Sequence, residues 1–251
     1  MPAITSDALV LRTHNMGETS KIAVLLTRER GKVRAVAKGA RGARSRYQSA
    51  LEPLSEVRVS LHGRQGAELF RLGACELLQS AFLASGRGLD VALAFSYFAE
   101  LLDAFAQEGE AEDAVYRLAI AVVRAAEEGA DIVVLTRYLE AWLLRLHGIY
   151  PPLDRCAGCD RPLASGSLRY HTPAHGFVCE ACGAATGPML SAGARAFVGE
   201  LLRRPPVSFA EPAPVDAAPR EAFHHDLISR HLERDLRSYR VMTDVARGMR
   251  S

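Results

Sequence analysis

The chain has 251 residues, 49% of them apolar, a formal net charge of +2 and five cysteines. This length exceeds one ordinary domain and can bury a substantial core, so two or more folded units are expected. No apolar run approaches the roughly 20 residues that span a bilayer, and the first residues lack the basic-then-apolar layout of a signal peptide, so a cytoplasmic place is expected. In a reducing compartment, five cysteines point to metal ligands plus one buried thiol rather than to disulfides.

Up to about Leu78 the texture predicts five short strands, Asp7 to Thr13, Ser20 to Thr27, Lys32 to Ala37, Ser55 to His62 and Glu68 to Cys75, with glycines at Gly17, Gly31, Gly63, Gly66 and Gly73. Ile22, Val24 and Leu26 alternate with Ala23 and Leu25, which predicts burial on both faces. Val57, Val59 and Leu61 alternate with Arg58 and Ser60, a half-exposed pattern. A small closed barrel follows, either an OB-fold or an SH3-like one.

Net charge hides a segregation within the chain. Arg28, Arg30, Lys32, Arg34, Lys38, Arg41, Arg44 and Arg46 face the single acid Glu29. This favours a polyanion as partner. Alternation places Lys32 and Arg34 on one side of a strand and Val33 and Ala35 on the other. The stretch from Lys38 to Arg46 is too rich in glycine and charge for a core element and is read as a flexible basic loop. Only Tyr47 and Phe70 offer rings for base stacking there, so binding should rest on phosphate contacts, tolerate single and double strands, and weaken steeply with salt.

After Gly86 and Gly88 the chain turns to Ala, Leu and Glu, which predicts helices at about 90–107, 112–128 and 131–147. The first two lie in an acidic stretch, where Glu100, Asp103, Glu108, Glu110, Glu112, Asp113, Glu127, Glu128 and Asp131 oppose only Arg117 and Arg124. In the third, Asp131 is the expected cap, and Leu135, Tyr138, Leu139, Trp142, Leu143 and Leu146 share one broad face. It should sit at the centre of a helical domain. Further helices are expected at about 191–203 and 219–239, separated by a Pro- and Ala-rich loop from Pro205 to Pro219.

Between these helical regions lie Cys156, Cys159, Cys179 and Cys182, two Cys-x2-Cys pairs. Such pairs aim four sulfurs at one tetrahedral ion, so a single structural zinc is expected. Four thiolates leave no position for water, which argues against catalytic metal and against an enzyme. No His-x-Glu precedes the cysteines, which excludes the base-deaminase pattern. His171 and His175 are read as surface residues rather than substitute ligands, Cys75 as a small buried hydrophobe, and His224, His225 and His231 as residues of a solvated helix face.

These residues also resemble a known family. Leu26 to Val33, Ala37 to Arg41, Ser45-Arg46, Leu51 to Leu54, and Gly17-Glu18 upstream, are similar to the N-terminal region of RecO proteins. Gly148 to Asp154 leading into the first cysteine pair, then Gly176-Phe177-Val178 before the second, resemble that family's zinc-bearing segment, with His175 where a second glycine is expected. Leu236 to Tyr239 matches in the tail.

The resemblance implies an α+β multidomain chain: an N-terminal five-stranded OB-fold barrel (1–80), a helical domain in two parts (81–150 and 189–251) and an embedded four-cysteine zinc element (151–188). It implies a nucleoid-associated, non-enzymatic recombination mediator. Such a protein anneals complementary DNA strands and, with RecR, helps to load RecA onto DNA covered by single-strand DNA-binding protein, whose acidic tail is a further partner. The chain has no Gly-x4-Gly-Lys-Ser/Thr loop, which disfavours an ATPase. Two rival readings are a zinc-containing RNA- or ribosome-binding protein and a protein-interaction adaptor working through the acidic helices.

Overall fold

The computed structural model describes all residues except 1–2, 43–44, 48, 65, 82–83, 85, 184–186, 213–219 and 249–251. Arg44 and the later part of the Pro- and Ala-rich loop therefore lie outside the described residues. Two compact units are present, one made of Met1–Glu128 with Leu236–Ser251, the other of Gly129–Asp235.

In the first unit, β1 (Ala3–Met16), β2 (Ser20–Thr27), β3 (Gly31–Ala37), β4 (Glu56–His62) and β5 (Phe70–Gln79) close into a barrel in the order β1-β2-β3-β5-β4. β1 is long enough to pair with β4 through its first half and with β2 through its second. A register shift between Val10 and Arg12 separates two parts of the β1–β2 ladder. The parallel β3–β5 closure makes this an OB-fold rather than an SH3-like barrel. Ala8, Val10, Leu25, Val33, Ala35, Val57, Val59, Leu61, Phe70 and Leu72 fill the interior.

Leu9, Leu11, Val24 and Leu26 alternate with interior residues, yet they are equally buried. The helices α1 (Leu89–Phe105) and α2 (Asp113–Glu127) pack against β1. Outward apolar residues on the strands need such a cover. These helices, expected to belong with the later ones, thus form part of the barrel unit.

The β3–β5 ladder is short, joining only Ala35 to Phe70 and Val36 to Arg71. Beside the start of β3, the loop after α1 supplies the missing backbone partners: Lys32 N–H donates to the Gln107 carbonyl at 3.0 Å, and Gly109 N–H to the Lys32 carbonyl at 3.1 Å. Gly31 permits this approach. Its φ is +57°, and a Cβ there would lie 1.9 Å from the Glu110 carbonyl oxygen. Gly31→Ala is expected to cost about 2 kcal/mol or more through the left-handed backbone and the clash. The check is the urea midpoint of the barrel unit, which should fall.

The expected helix at 219–239 is two. Its first part, α5 (Arg220–Leu232), is followed by Glu233 in a left-handed conformation, φ 54°. Its second, α6 (Arg237–Gly248), belongs to the barrel unit and packs on α1. The Glu100 carboxylate accepts from the backbone N–H of Arg237 at 3.1 Å and of Ser238 at 2.8 Å. An anion at a helix start is favourable by about 0.3–1 kcal/mol, and the Tyr97 and Tyr239 rings meet 5.7 Å apart.

In the second unit, α3 (Ile132–Leu146) starts at Asp131, whose side chain accepts from Val134 N–H at 2.8 Å as the sequence predicts. Burial runs around most of α3 rather than along one face, and takes in Thr136, Arg137 and Glu140; Leu146, assigned to the buried face, is 40% exposed. Against α3 pack α4 (Ala192–Leu201) and α5. A small sheet of β6 (Leu168–His171), β7 (Gly176–Phe177) and β8 (Met189–Leu190), in the order β7-β6-β8, carries the cysteine segment.

Candidate nucleic-acid interface and metal centre

Strand alternation turns Val33 and Ala35 into the barrel and Lys32 and Arg34 outward, as expected. The eight cations do not, however, form one free row. Lys32 is only 13% exposed, with its Nζ on the Asp103 carbonyl at 2.6 Å and the Asp103 carboxylate at 3.6 Å. Arg34 meets Glu108 at 2.5 Å, and Arg28 meets Asp113 at 2.9 Å. Three of the eight basic residues thus already meet acidic partners. The physical reason is the packing of α1 and α2 on β1, which brings acids of the middle segment beside β3 and the turn before it.

The remaining described cations are different. Arg30, Lys38, Arg41 and Arg46 have no carboxylate partner among the described residues. Lys38, Arg41 and Arg46 are exposed and Arg30 is half-buried. Arg41 donates to the Gly17 carbonyl at 2.6 Å, which leaves its other guanidinium nitrogens available.

The described part of the stretch from Lys38 to Arg46, expected as a flexible loop, carries backbone hydrogen bonds, among them the turn bond of Ser45 N–H to the Gly42 carbonyl at 2.9 Å and the longer-range bond of Arg41 N–H to the Thr19 carbonyl at 3.0 Å. Arg46 lies over the Tyr47 ring, 4.8 Å from its centre, and donates to its hydroxyl at 2.6 Å. Tyr47 and Phe70, the two candidate stacking rings, are 1% and 4% exposed. Buried rings offer no face to a base, so this surface can meet a nucleic acid through its charges alone.

The four cysteine sulfurs lie within 4.8 Å of one another, and Cys159 and Cys179 are 3.7 Å apart. A tetrahedron with sulfurs about 2.3 Å from its centre has edges of about 3.8 Å, so the donor set fits a thiophilic tetrahedral cation. Two glycines allow the knuckles to approach. A Cβ on Gly158 would stand 3.1 Å from the Cys182 sulfur, and one on Gly176 would stand 2.7 Å from the Ala157 Cβ.

Cys156 is buried, and its sulfur accepts the backbone N–H of Cys179 at 3.2 Å and of Gly158 at 3.4 Å. These donors, Cys179 first, lower its thiol to about 6. Cys182 is pushed up to about 12, above all by its hydrogen bond with Cys159. A set of four sulfurs that cannot all shed their protons alone is suited to a cation that draws them off.

Neither histidine between the pairs joins the group. The His171 Nδ1 accepts the Ala174 N–H at 3.2 Å, and His175 takes a left-handed conformation, φ 49°. That is the backbone for which a glycine is expected at this position, and histidine is among the residues that tolerate it. Cys75 is half-buried against the barrel core, and burial pushes its thiol up to about 11.

Comparison with known proteins assigns the chain in two blocks. Residues 1–81 match the family model described as Recombination protein O N terminal, and residues 88–240 match Recombination protein O C terminal. The chain belongs to the RecO family. A protein of Koribacter versatilis (strain Ellin345) named DNA repair protein RecO is 36% identical over 235 residues, which is 92% of this chain and 94% of that one. DNA repair protein RecO of Nocardioides sp. (strain ATCC BAA-499 / JS614) is 37% identical over 70% of this chain and 72% of its own. That of Pelotomaculum thermopropionicum is 35% identical over 72% of this chain and 69% of its own.

Within this RecO-family chain, sequence reading misplaced one histidine. His224, assigned to a solvated helix face, is fully buried: its Nδ1 lies 3.1 Å from Glu140 and its Nε2 is 3.0 Å from the Tyr150 hydroxyl. Glu140 also accepts from Arg137 at 2.8 and 3.0 Å. An Arg and a Glu three residues apart on a largely apolar helix were the available signal. The acids beside β3 had a signal too, since the basic and acidic segments of the chain are complementary in charge.

Proposed function

We propose that this RecO-family chain binds single- and double-stranded DNA through the phosphate backbone and anneals complementary strands. With RecR it helps to load RecA onto DNA covered by single-strand DNA-binding protein, whose acidic tail it contacts. The observation that carries the DNA reading is that Arg30, Lys38, Arg41 and Arg46, which flank β3 at its two ends, have no carboxylate partners among the described residues, while the nearby rings lie in the core. Cations at the surface of two strands screen their repulsion and raise encounter frequency; base pairing then supplies the specificity. Arg44 belongs to the same basic stretch, and Arg28 and Arg34, whose ion pairs are open to water, complete the proposed DNA-binding set, with Lys32 held on Asp103 as their support in β3.

We assign the ion at Cys156, Cys159, Cys179 and Cys182 as one structural zinc. The chemistry of four thiolates and the spacing of their sulfurs support it. The ion would tie the segment into a single shape, with no catalytic position left open. No helix among the described residues is long and apolar enough to cross a membrane, and a nucleoid-associated role in the cytoplasm accords with a DNA repair family.

Charge reversal of Arg34, Lys38, Arg41 and Arg44 to glutamate tests the DNA reading. Affinity for single-stranded DNA should drop by about a hundredfold or more at moderate salt, and strand annealing should fall with it. Unchanged binding would transfer the function to the acidic helices and favour an adaptor. Competition between matched DNA and RNA strands completes the test, because a large preference for RNA overturns the assignment.

A further inference from the structure

We propose that the acidic stretch running from the loop after α1 into the first residue of α2 is a built-in competitor for nucleic acid, with Glu108 and Asp113 holding Arg34 and Arg28 as tethered substitutes for phosphate that give way when a strand docks. The inference rests on the DNA-binding reading and adds a regulation of that same surface.

The three acid pairs on the basic segment differ in kind. Lys32 and Asp103 are 13% and 14% exposed, and Asp103 also meets Arg12 at 2.9 Å. With the Asp103 carbonyl on Lys32 as well, this set is fixed structure. Arg34 and Glu108 are 49% and 51% exposed, and Arg28 and Asp113 are 53% and 45% exposed. Pairs so open to water contribute little to folding and exchange partners easily.

Each acid also has somewhere to go. The other oxygen of Asp113 already meets Arg117 at 2.8 Å, so leaving Arg28 does not strand it. Glu108 faces solvent. Its backbone stays where it is, because the bonds joining Gln107 and Gly109 to Lys32 pin the loop beside β3. A released Glu108 therefore remains next to Arg34 at high local concentration, ready to return when the strand leaves.

A simple gluing role for these two pairs is the weaker account. The helices are held to the barrel by the burial of Leu9, Leu11, Val24 and Leu26 and by backbone hydrogen bonds, neither of which needs the two carboxylates. A latch of this kind sets a threshold: a strand must outcompete two tethered anions, so weak or isolated polyanions are turned away.

The test uses the full chain with Glu108→Gln and Asp113→Asn together, which removes charge and keeps shape. Affinity for single-stranded oligo(dT), read by fluorescence anisotropy at moderate salt, should tighten roughly three- to tenfold with an unchanged unfolding midpoint. In an Arg28→Ala, Arg34→Ala background the same two changes should have no effect. Glu110→Gln removes a neighbouring exposed charge that has no cationic partner among the described residues, and it should tighten binding much less.

Equal tightening in the alanine background, or from Glu110→Gln alone, would mean a general field effect and overturn the latch. Unchanged affinity in the double variant, with wild-type binding intact, also overturns it and leaves the DNA reading standing. If neither the wild type nor the double variant binds DNA, the DNA reading itself falls, and the latch with it.

Discussion

Cys179→Ser should strip the chain of its metal and unfold the segment from about residue 151 to 190, while the barrel unit keeps its own transition. Apart from the four sulfurs, that segment is held by strands of two to four residues and by a small apolar cluster of Leu168, Tyr170, Phe177 and Leu190, whose two rings meet Phe223 of α5 at 5.9 and 5.5 Å. Structural zinc carries roughly 10–16 kcal/mol of apparent binding free energy in small domains at neutral pH. An apolar cluster of this size cannot replace it. Elemental analysis should find one zinc per wild-type chain and far less in the variant. Limited proteolysis should then cut between Arg155 and Arg169 in the variant alone. A variant that keeps full metal content and wild-type resistance would show that the cysteines are not a metal centre.

The second large effect is expected at Glu140. It is fully buried with Arg137 and His224, and the three come from α3 and α5. Glu140→Ala removes the carboxylate that Arg137 and His224 share in the interior, and breaking one member of a buried ionic set typically costs about 3–5 kcal/mol. Exchanging all three for apolar residues of similar volume, Arg137→Met with Glu140→Leu and His224→Phe, should recover most of that loss. Chemical denaturation of the second unit decides between them. If the single change is harmless, the network contributes nothing to the fold. If the triple is as damaged as the single, packing rather than uncompensated charge sets the cost.

Much of this molecule was legible from residue pattern alone. The five strands follow from short β-type runs set off by glycines and charged turns, two of them with period-2 alternation, and the cap at Asp131 from a side chain able to accept its helix's third N–H. The cysteine quartet follows from spacing. The assignment of α1 and α2 did not, because periodicity reports that an element has an apolar face but not which surface covers it. Leu9, Leu11, Val24 and Leu26 held that information, since strands buried on both faces require a second layer.

The same blind spot hid the ion pairs. Local composition marked residues 28–46 as cationic, but whether each side chain meets solvent or a carboxylate depends on contacts across about 70 to 85 residues of chain. The division of the helix expected at 219–239 turned on Glu233 adopting a backbone that its residue type seldom visits, which no propensity reveals.

The barrel unit draws on two separated stretches of chain, whereas Gly129–Asp235 is contiguous. During synthesis the contiguous part can close as soon as it leaves the ribosome, but the surface of α1 around Tyr97 and Glu100 must wait for α6, whose first residue follows Glu100 by 137 positions. Maturation of the unit that carries the proposed DNA contacts is thereby coupled to translation of the whole intervening part, and a product terminated before α6 would carry the barrel without that brace.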